Sequence, residues 1–212
     1  MPNWCHTILE VTGEEPFVRE FVAGFSHSKD DYGSKVSIIE GWFPTPEELM
    51  NTVSTFGKAH DEAHEKQMQD NLAKYGARDW YDWNVENWGT KWSDCHTMVD
   101  DIEVLDDGSA FLRAEYDTAW GTATAAFVRI SQTFPTLTFR FRHDEEAGFF
   151  AGAEVVKNGE ILFEKFFAPC EYEADLGESD WDSDEWNEKY DKWKYEKMDD
   201  IDNEADVVVM AV

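Results

Sequence analysis

Between residues 79 and 92 the chain reads Asp-Trp-Tyr-Asp-Trp-Asn-Val-Glu-Asn-Trp-Gly-Thr-Lys-Trp, so four of its ten tryptophans (Trp80, Trp83, Trp88 and Trp92) fall in one short stretch. An indole is bulky and, once buried, needs a partner for its N–H. Such a cluster builds either a rigid aromatic core or an exposed recognition surface. Asp, Asn and Glu are interleaved with the rings and suited to accept indole hydrogen bonds, which favours a structural cluster. Enclosing it requires a substantial core. A chain of 212 residues with 42% apolar content can supply one, as a single domain with insertions or as two small domains.

Charge narrows the partners. Forty-six acids against eighteen bases leave a formal net charge of −28. Spread over the roughly 10,000 Å² that a folded chain of this size exposes, that is about one charge per 360 Å². Duplex DNA carries about one per 110 Å², so only a local concentration of acids can imitate it. Direct phosphate binding and attraction to an anionic membrane are both disfavoured. Three widely spaced cysteines (Cys5, Cys95, Cys170) make no disulfide framework and suit a reducing compartment. No signal peptide and no apolar run of about 20 residues is present, so a soluble cytoplasmic protein is expected.

The periodicity predicts a strand at Cys5–Val11, then a helix over 14–25 with Phe17, Val18, Phe21, Val22 and Phe25 on one face. A second strand is expected through Val36, Ile38, Ile39 and Trp42, stopped by Pro44 and Pro46. Pro46–Met50 reads as a helical turn, and Lys58–Tyr75 as a solvated helix ended by Gly76. Strands return at Ile102–Leu105 and Ala110–Tyr116 around the turn Asp106-Asp107-Gly108. A helix over 122–134, a strand over 137–142 and a hairpin of 149–156 with 161–167 follow. From Glu171 the composition changes: the last 42 residues carry 16 acids and 4 lysines. The expected organisation is a body over 1–170 with an insertion at about 44–101, and an acidic, partly helical tail over 171–212.

Four dispersed segments carry a resemblance: Met1-Pro2-Asn3-Trp4-Cys5-His6, Phe43-Pro44-Thr45-Pro46-Glu47-Glu48-Leu49, Tyr81-Asp82-Trp83 with Asn87-Trp88-Gly89-Thr90-Lys91-Trp92, and Thr118-Ala119-Trp120. Together, and in this order, they resemble the YubB-like family of phages and plasmids, described as containing a ferredoxin-like domain. The resemblance spans residues 1 to about 150. It implies an α+β fold, a βαββαβ sandwich, and a bacterial host cell as the setting, and it implies no reaction. Iron–sulfur chemistry is not implied, because the chain lacks four clustered cysteines. The residue-level reading agrees with that fold: βαβ, a helical tryptophan-rich insertion, then βαβ again.

Few constellations suggest chemistry. His60 and His64 stand at i, i+4, but the zinc-protease pattern needs glutamate directly after the first histidine, where Asp61 stands. Cys5-His6 and Cys95-His96 offer four soft ligands, although adjacent strand residues point to opposite faces and burial of the thiols is the simpler reading. Asp180, Asp182 and Asp184 occupy positions 1, 3 and 5 of a calcium-loop pattern with Asp191 at position 12, yet its glycine is replaced by Glu185. Asp82, Glu86 and Lys91 form at most a carboxylate–lysine site. No nucleophile elbow, phosphate loop or dinucleotide fingerprint occurs. No enzyme, metal or cofactor is expected.

The tail carries the functional expectation. Ser183 can cap a helix to about Met198, placing Trp186, Tyr190, Trp193 and Lys197 on one stripe. That stripe either packs on its own sheet or, framed by carboxylates, meets a basic partner. The expected partner-binding residues are Asp180, Asp182, Asp184, Glu185, Trp186, Glu188, Tyr190, Asp191 and Trp193. The expected function is a phage- or plasmid-encoded inhibitor, acting through a nucleic-acid-mimicking surface on a basic nucleic-acid-handling host or defence protein. The alternatives are a metalloprotein or enzyme built on the insertion, and a structural component of the mobile element.

Overall fold

The computed structural model describes residues 2–30, 33–55, 60–172 and 183–212. It opens with β1 (Trp4–Glu14) and α1 (Glu15–Ala23), followed by the hairpin β2 (Ser26–Asp30) and β3 (Gly33–Ser37). Four helices follow: α2 (Ile39–Trp42), α3 (Glu47–Met50), α4 (Glu62–Tyr75) and α5 (Trp80–Trp88). The chain then forms β4 (Cys95–Val99), β5 (Glu103–Val104), β6 (Ser109–Ala119), α6 (Thr124–Thr133), β7 (Thr138–Glu145), β8 (Ala151–Lys157), β9 (Glu160–Phe167) and α7 (Asp184–Ala211).

The main sheet has the order β4-β6-β1-β7-β8-β9, with β5 also on β6. All its pairings are antiparallel. Its first four strands have the ferredoxin-like order: β1 and β4 run parallel with β6 between them, and β6 and β7 run parallel with β1 between them. The fold is α+β, as expected from the sequence. β8 and β9 extend the β7 edge.

Registers Leu9↔Ala114 and Leu9↔Phe141 put the odd residues of β1 on one face with Leu112, Ala114 and Tyr116 of β6 and Phe139 and Phe141 of β7. This face meets Val18 and Phe21 of α1 and Phe127, Ile130 and Phe134 of α6, all buried. Phe21 sits edge-on to Phe25, Phe134 and Phe139 at 4.9–5.7 Å, a geometry that aromatic quadrupoles favour. A polar seam crosses the same face. His143 lies 3.0 Å from Thr7 and 2.9 Å from Glu154, and Thr124 donates to the same Glu154 oxygen.

Two expectations change. The strand expected through Val36–Trp42 ends at Ser37, and Ile39–Trp42 is helical. Buried Asp94 is the cause: its carboxylate accepts from Ile38 N–H and Ile39 N–H, both at 2.9 Å, and from Ser37 Oγ at 2.7 Å. Those bonds turn the backbone before the alternating apolar residues can extend the strand. Furthermore, the strand that completes the first βαβ unit is β4, within the expected insertion. The segment outside the ferredoxin-like elements thus runs from Ser26 to Asp94. Its helices α4 and α5 both end on glycines in the left-handed region, Gly76 (φ 76°) and Gly89 (φ 82°), which release the chain without a Cβ penalty.

Candidate functional site

Ser183 caps α7 by accepting from Trp186 N–H at 3.1 Å, and the helix runs to Ala211, well past Met198. It lies on the sheet face opposite α1 and α6, where Ile201 and Ala205 join Ala153 and Val155 in a second small core. Ion pairs frame this contact. Arg140 reaches Glu10 and Asp202 at 2.8 Å each, and its Nε lies 3.0 Å from Asp206 without hydrogen-bond alignment. Arg142 reaches Asp202 at 3.2 Å, and Lys194 reaches Asp144 at 2.7 Å. Burial pushes the Asp202 carboxyl above its usual range, against the pull of Arg142 and Arg140.

The aromatic stripe is half-buried against its own chain. Tyr172 lies 4.9 Å from Trp193, 5.6 Å from Tyr190 and 5.8 Å from Trp186, and Phe167 lies 5.5 Å from Trp193. Of the expected binding residues, then, Trp186, Tyr190 and Trp193 fold inward while Asp184, Glu185, Glu188 and Asp191 stay exposed. Glu185 pairs with Lys189 at 2.8 Å, and that hydrogen bond holds its carboxyl below the usual range. Asp180 and Asp182, and with them the calcium-loop pattern, lie outside the described residues.

The four segments that carry the resemblance converge around α5 and the Trp4 end of β1. Trp120 N–H donates to Asn3 O at 2.9 Å, and the Trp4 and Trp92 rings are 6.2 Å apart. Thr90 donates to Ala119 O at 2.9 Å, Thr45 to Asn84 at 2.6 Å, and Trp88 Nε1–H to Phe43 O at 2.8 Å. Here the tryptophan cluster divides. Trp83 and Trp88 are buried and edge-on to each other at 5.8 Å. Trp80 and Trp92 are only partly covered and, with Trp88, line a cavity of about 280 Å³. The bond to Trp88 comes from a backbone carbonyl and not, as expected, from a carboxylate. Asp79 and Asp82 serve the helix instead: Asp79 caps α5 by accepting from Tyr81 N–H and Asp82 N–H, and burial together with Asp79 raises the Asp82 carboxyl. Lys91 sits over the Trp92 ring at 4.4 Å and the Trp120 ring at 5.0 Å. Trp120 (φ 70°) and His96 (φ 54°) occupy the left-handed region, a strained backbone for bulky residues.

The two Cys-His dipeptides meet through their histidines. His6 on β1 and His96 on β4 place Nδ1 at 3.1 and 2.8 Å from the two oxygens of Asp117 on β6, between them. Their thiols go elsewhere. Cys5 is buried and desolvation pushes it up to about 12, while half-buried Cys95 is also raised by burial. His64 has both ring nitrogens engaged by backbone, with His60 N and Val53 O at 3.1 Å each. Among the described residues, no group of three or more His, Cys, Asp or Glu is placed to hold a metal. No described helix is long and apolar enough to cross a membrane.

Sequence reasoning missed Asp94 and Asp117, because an isolated aspartate gives no local sign of its distant partners. It also missed the Trp80–Trp92 cavity, for which the tryptophan density was the one available signal.

No curated protein matches this chain. Among solved structures, the crystal structure of protein api92 from Yersinia pseudotuberculosis aligns over 83% of this chain and 100% of its own, at 12% identity and a TM-score of 0.42. A family model described as "Ferredoxin-like domain in Api92-like protein" matches residues 86–210, from the end of α5 through β4 and the sheet into α7. That match spans more than half of the sequence and includes the acidic helix, so the chain belongs to the Api92-like family.

Proposed function

We propose that this chain is a non-enzymatic binding protein that occupies the nucleic-acid groove of a basic partner, with the carboxylates of α7 standing in for phosphates. One observation carries the reading. Asp184, Glu188, Asp191 and Asp200 are exposed on one ordered helix and form no ion pair among the described residues, whereas Asp202 and Asp206 of the same helix are spent on docking it. Steps of four and three residues between Asp184, Glu188 and Asp191 are rises of about 6 and 4.5 Å, of the same order as the roughly 3.4 Å axial spacing of phosphates on one DNA strand. With Trp186, Tyr190 and Trp193 turned inward, recognition rests on the carboxylates. Resemblance to the YubB-like proteins suggests the setting, a phage or plasmid product in the bacterial cell, and the proposed target is a host or defence protein.

The test is affinity capture from the bacterial host at low and moderate salt, comparing wild type with a variant carrying Asp184→Asn, Glu188→Gln, Asp191→Asn and Asp200→Asn. The expected partner binds nucleic acid, is displaced by duplex DNA, and is lost both at moderate salt and with the variant, since screening weakens such contacts. A partner held equally by the variant, or insensitive to salt and DNA, refutes the reading.

A further inference from the structure

We propose that the cavity beside α5 and β4 receives an arginine side chain presented by a basic polypeptide. This surface lies at the β4 edge of the sheet, opposite the β7–β9 side that carries α7, so it goes beyond the function proposed above and does not depend on it. At about 280 Å³ the cavity falls below the range for drug-sized ligands and suits one side chain.

Its apolar lining is Trp80, Trp88 and Trp92 with Met50, and Glu40 and Lys35 are the charged members. The Asn84, Ser93 and Cys95 side chains of the wall are already engaged. The Asn84 amide donates to Lys91 O and accepts from Thr45, and Ser93 Oγ bonds to Ser37 and Asp94. The Cys95 thiol bonds to Ser93 O and is kept protonated by burial. Asn84, Ser93 and Cys95 therefore offer little to a neutral heterocycle. A flat cation needs only ring faces and a carboxylate. Beside the cavity, the Lys91 ammonium already rests over the rings of Trp92 and Trp120, so an indole of this wall takes part in a cation–ring contact. Guanidinium is planar, weakly hydrated and stacks on indoles, which favours arginine over lysine. The net charge of −28 draws cations toward the surface and repels phosphate-bearing ligands. Lys35 opposes a cation, but it is only half-buried and its flexible stem can withdraw the ammonium into water.

The experiment titrates the intact protein with N-acetyl-arginine amide and, separately, with its neutral isostere N-acetyl-citrulline amide, at constant ionic strength. Indole N–H resonances and tryptophan fluorescence are the readouts. Arginine amide should shift the Trp80 and Trp92 signals saturably and bind at least tenfold more tightly than citrulline amide. Glu40→Gln should weaken it about threefold to tenfold, and Lys35→Gln should tighten it by a similar factor. Trp80→Phe, which keeps a ring in place, should weaken it less than Trp80→Ala. The four-site α7 variant described above should bind arginine amide as wild type does, which keeps a failure here separate from a failure of the proposed function. Equal binding of the isostere, no saturation, or the opposite signs for Glu40→Gln and Lys35→Gln overturns the proposal.

Discussion

Replacing Asp94 by asparagine tests how the tryptophan-rich segment is attached to the sheet. Asp94 is fully buried and lies just before β4. Its Oδ1 accepts from Ser37 Oγ, Ile39 N–H and Ser93 Oγ at 2.7, 2.9 and 3.0 Å, and its Oδ2 from Ile38 N–H and Thr97 Oγ1 at 2.9 and 2.6 Å. The amide introduced by Asp94→Asn keeps one carbonyl oxygen for the three donors on the busier side. Its NH2 then faces Ile38 N–H, donor against donor, and leaves that backbone group buried without an acceptor. Thr97 can rotate and accept from the new NH2. One stranded donor costs roughly 1–3 kcal/mol, and weakening three charge-assisted bonds to neutral ones adds about 0.5–1 kcal/mol each. The expected loss is about 3–5 kcal/mol, read as a lower urea midpoint at unchanged slope. Hydrogen exchange at Ile38 and Ile39 should accelerate beyond what global destabilisation accounts for. A loss below about 1 kcal/mol, or unchanged exchange at those amides, refutes the view that Asp94 converts the expected strand into α2.

Trp88→Ala should cost about 3–5 kcal/mol in chemical denaturation, the range for emptying a buried aromatic site, whereas Trp92→Ala, at a partly exposed position, should cost under about 1.5 kcal/mol. Arg140→Met should loosen α7, losing about 2–3 kcal/mol, below the range for a fully buried pair because Asp206 is half exposed; faster exchange confined to 184–211 is the expected signature. Cys5 is raised from 9.0 to about 12 by burial, so the unfolded chain loses its thiol proton first. The stability it contributes is complete below about pH 9 and declines as pH rises toward 12. Melting curves between about pH 8 and 10.5 should therefore fall more steeply for wild type than for Cys5→Ala, and equal slopes would refute the assignment.

Much of the frame is written in consecutive residues. The alternation from Cys5 to Val11, the helical stripe of Phe17, Val18 and Phe21, the ridge of Phe127, Ile130 and Phe134, and the Asn158-Gly159 hairpin are local periods, and each appears as an element close to its expected limits. Ser183 and Gly76 mark helix ends by chemistry that acts within one turn. Three of the four ferredoxin-like strands, β1, β6 and β7, are legible in this way.

What tertiary structure decided depends on partners far away along the chain. Ile38 and Ile39 read as strand because the carboxylate that captures the backbone there is Asp94, more than fifty residues away. β4 is illegible because its register slips between Cys95 and Met98, and because only its place beside β6 makes it a strand. His6 and His96 come together only when parallel strands flank Asp117. The stripe of Trp186, Tyr190 and Trp193 is equally compatible with a partner or with its own chain, and the positions of Tyr172 and Phe167 turn it inward. Periodicity shows which face of an element is apolar. What that face meets depends on pairings between distant segments, which no local pattern encodes.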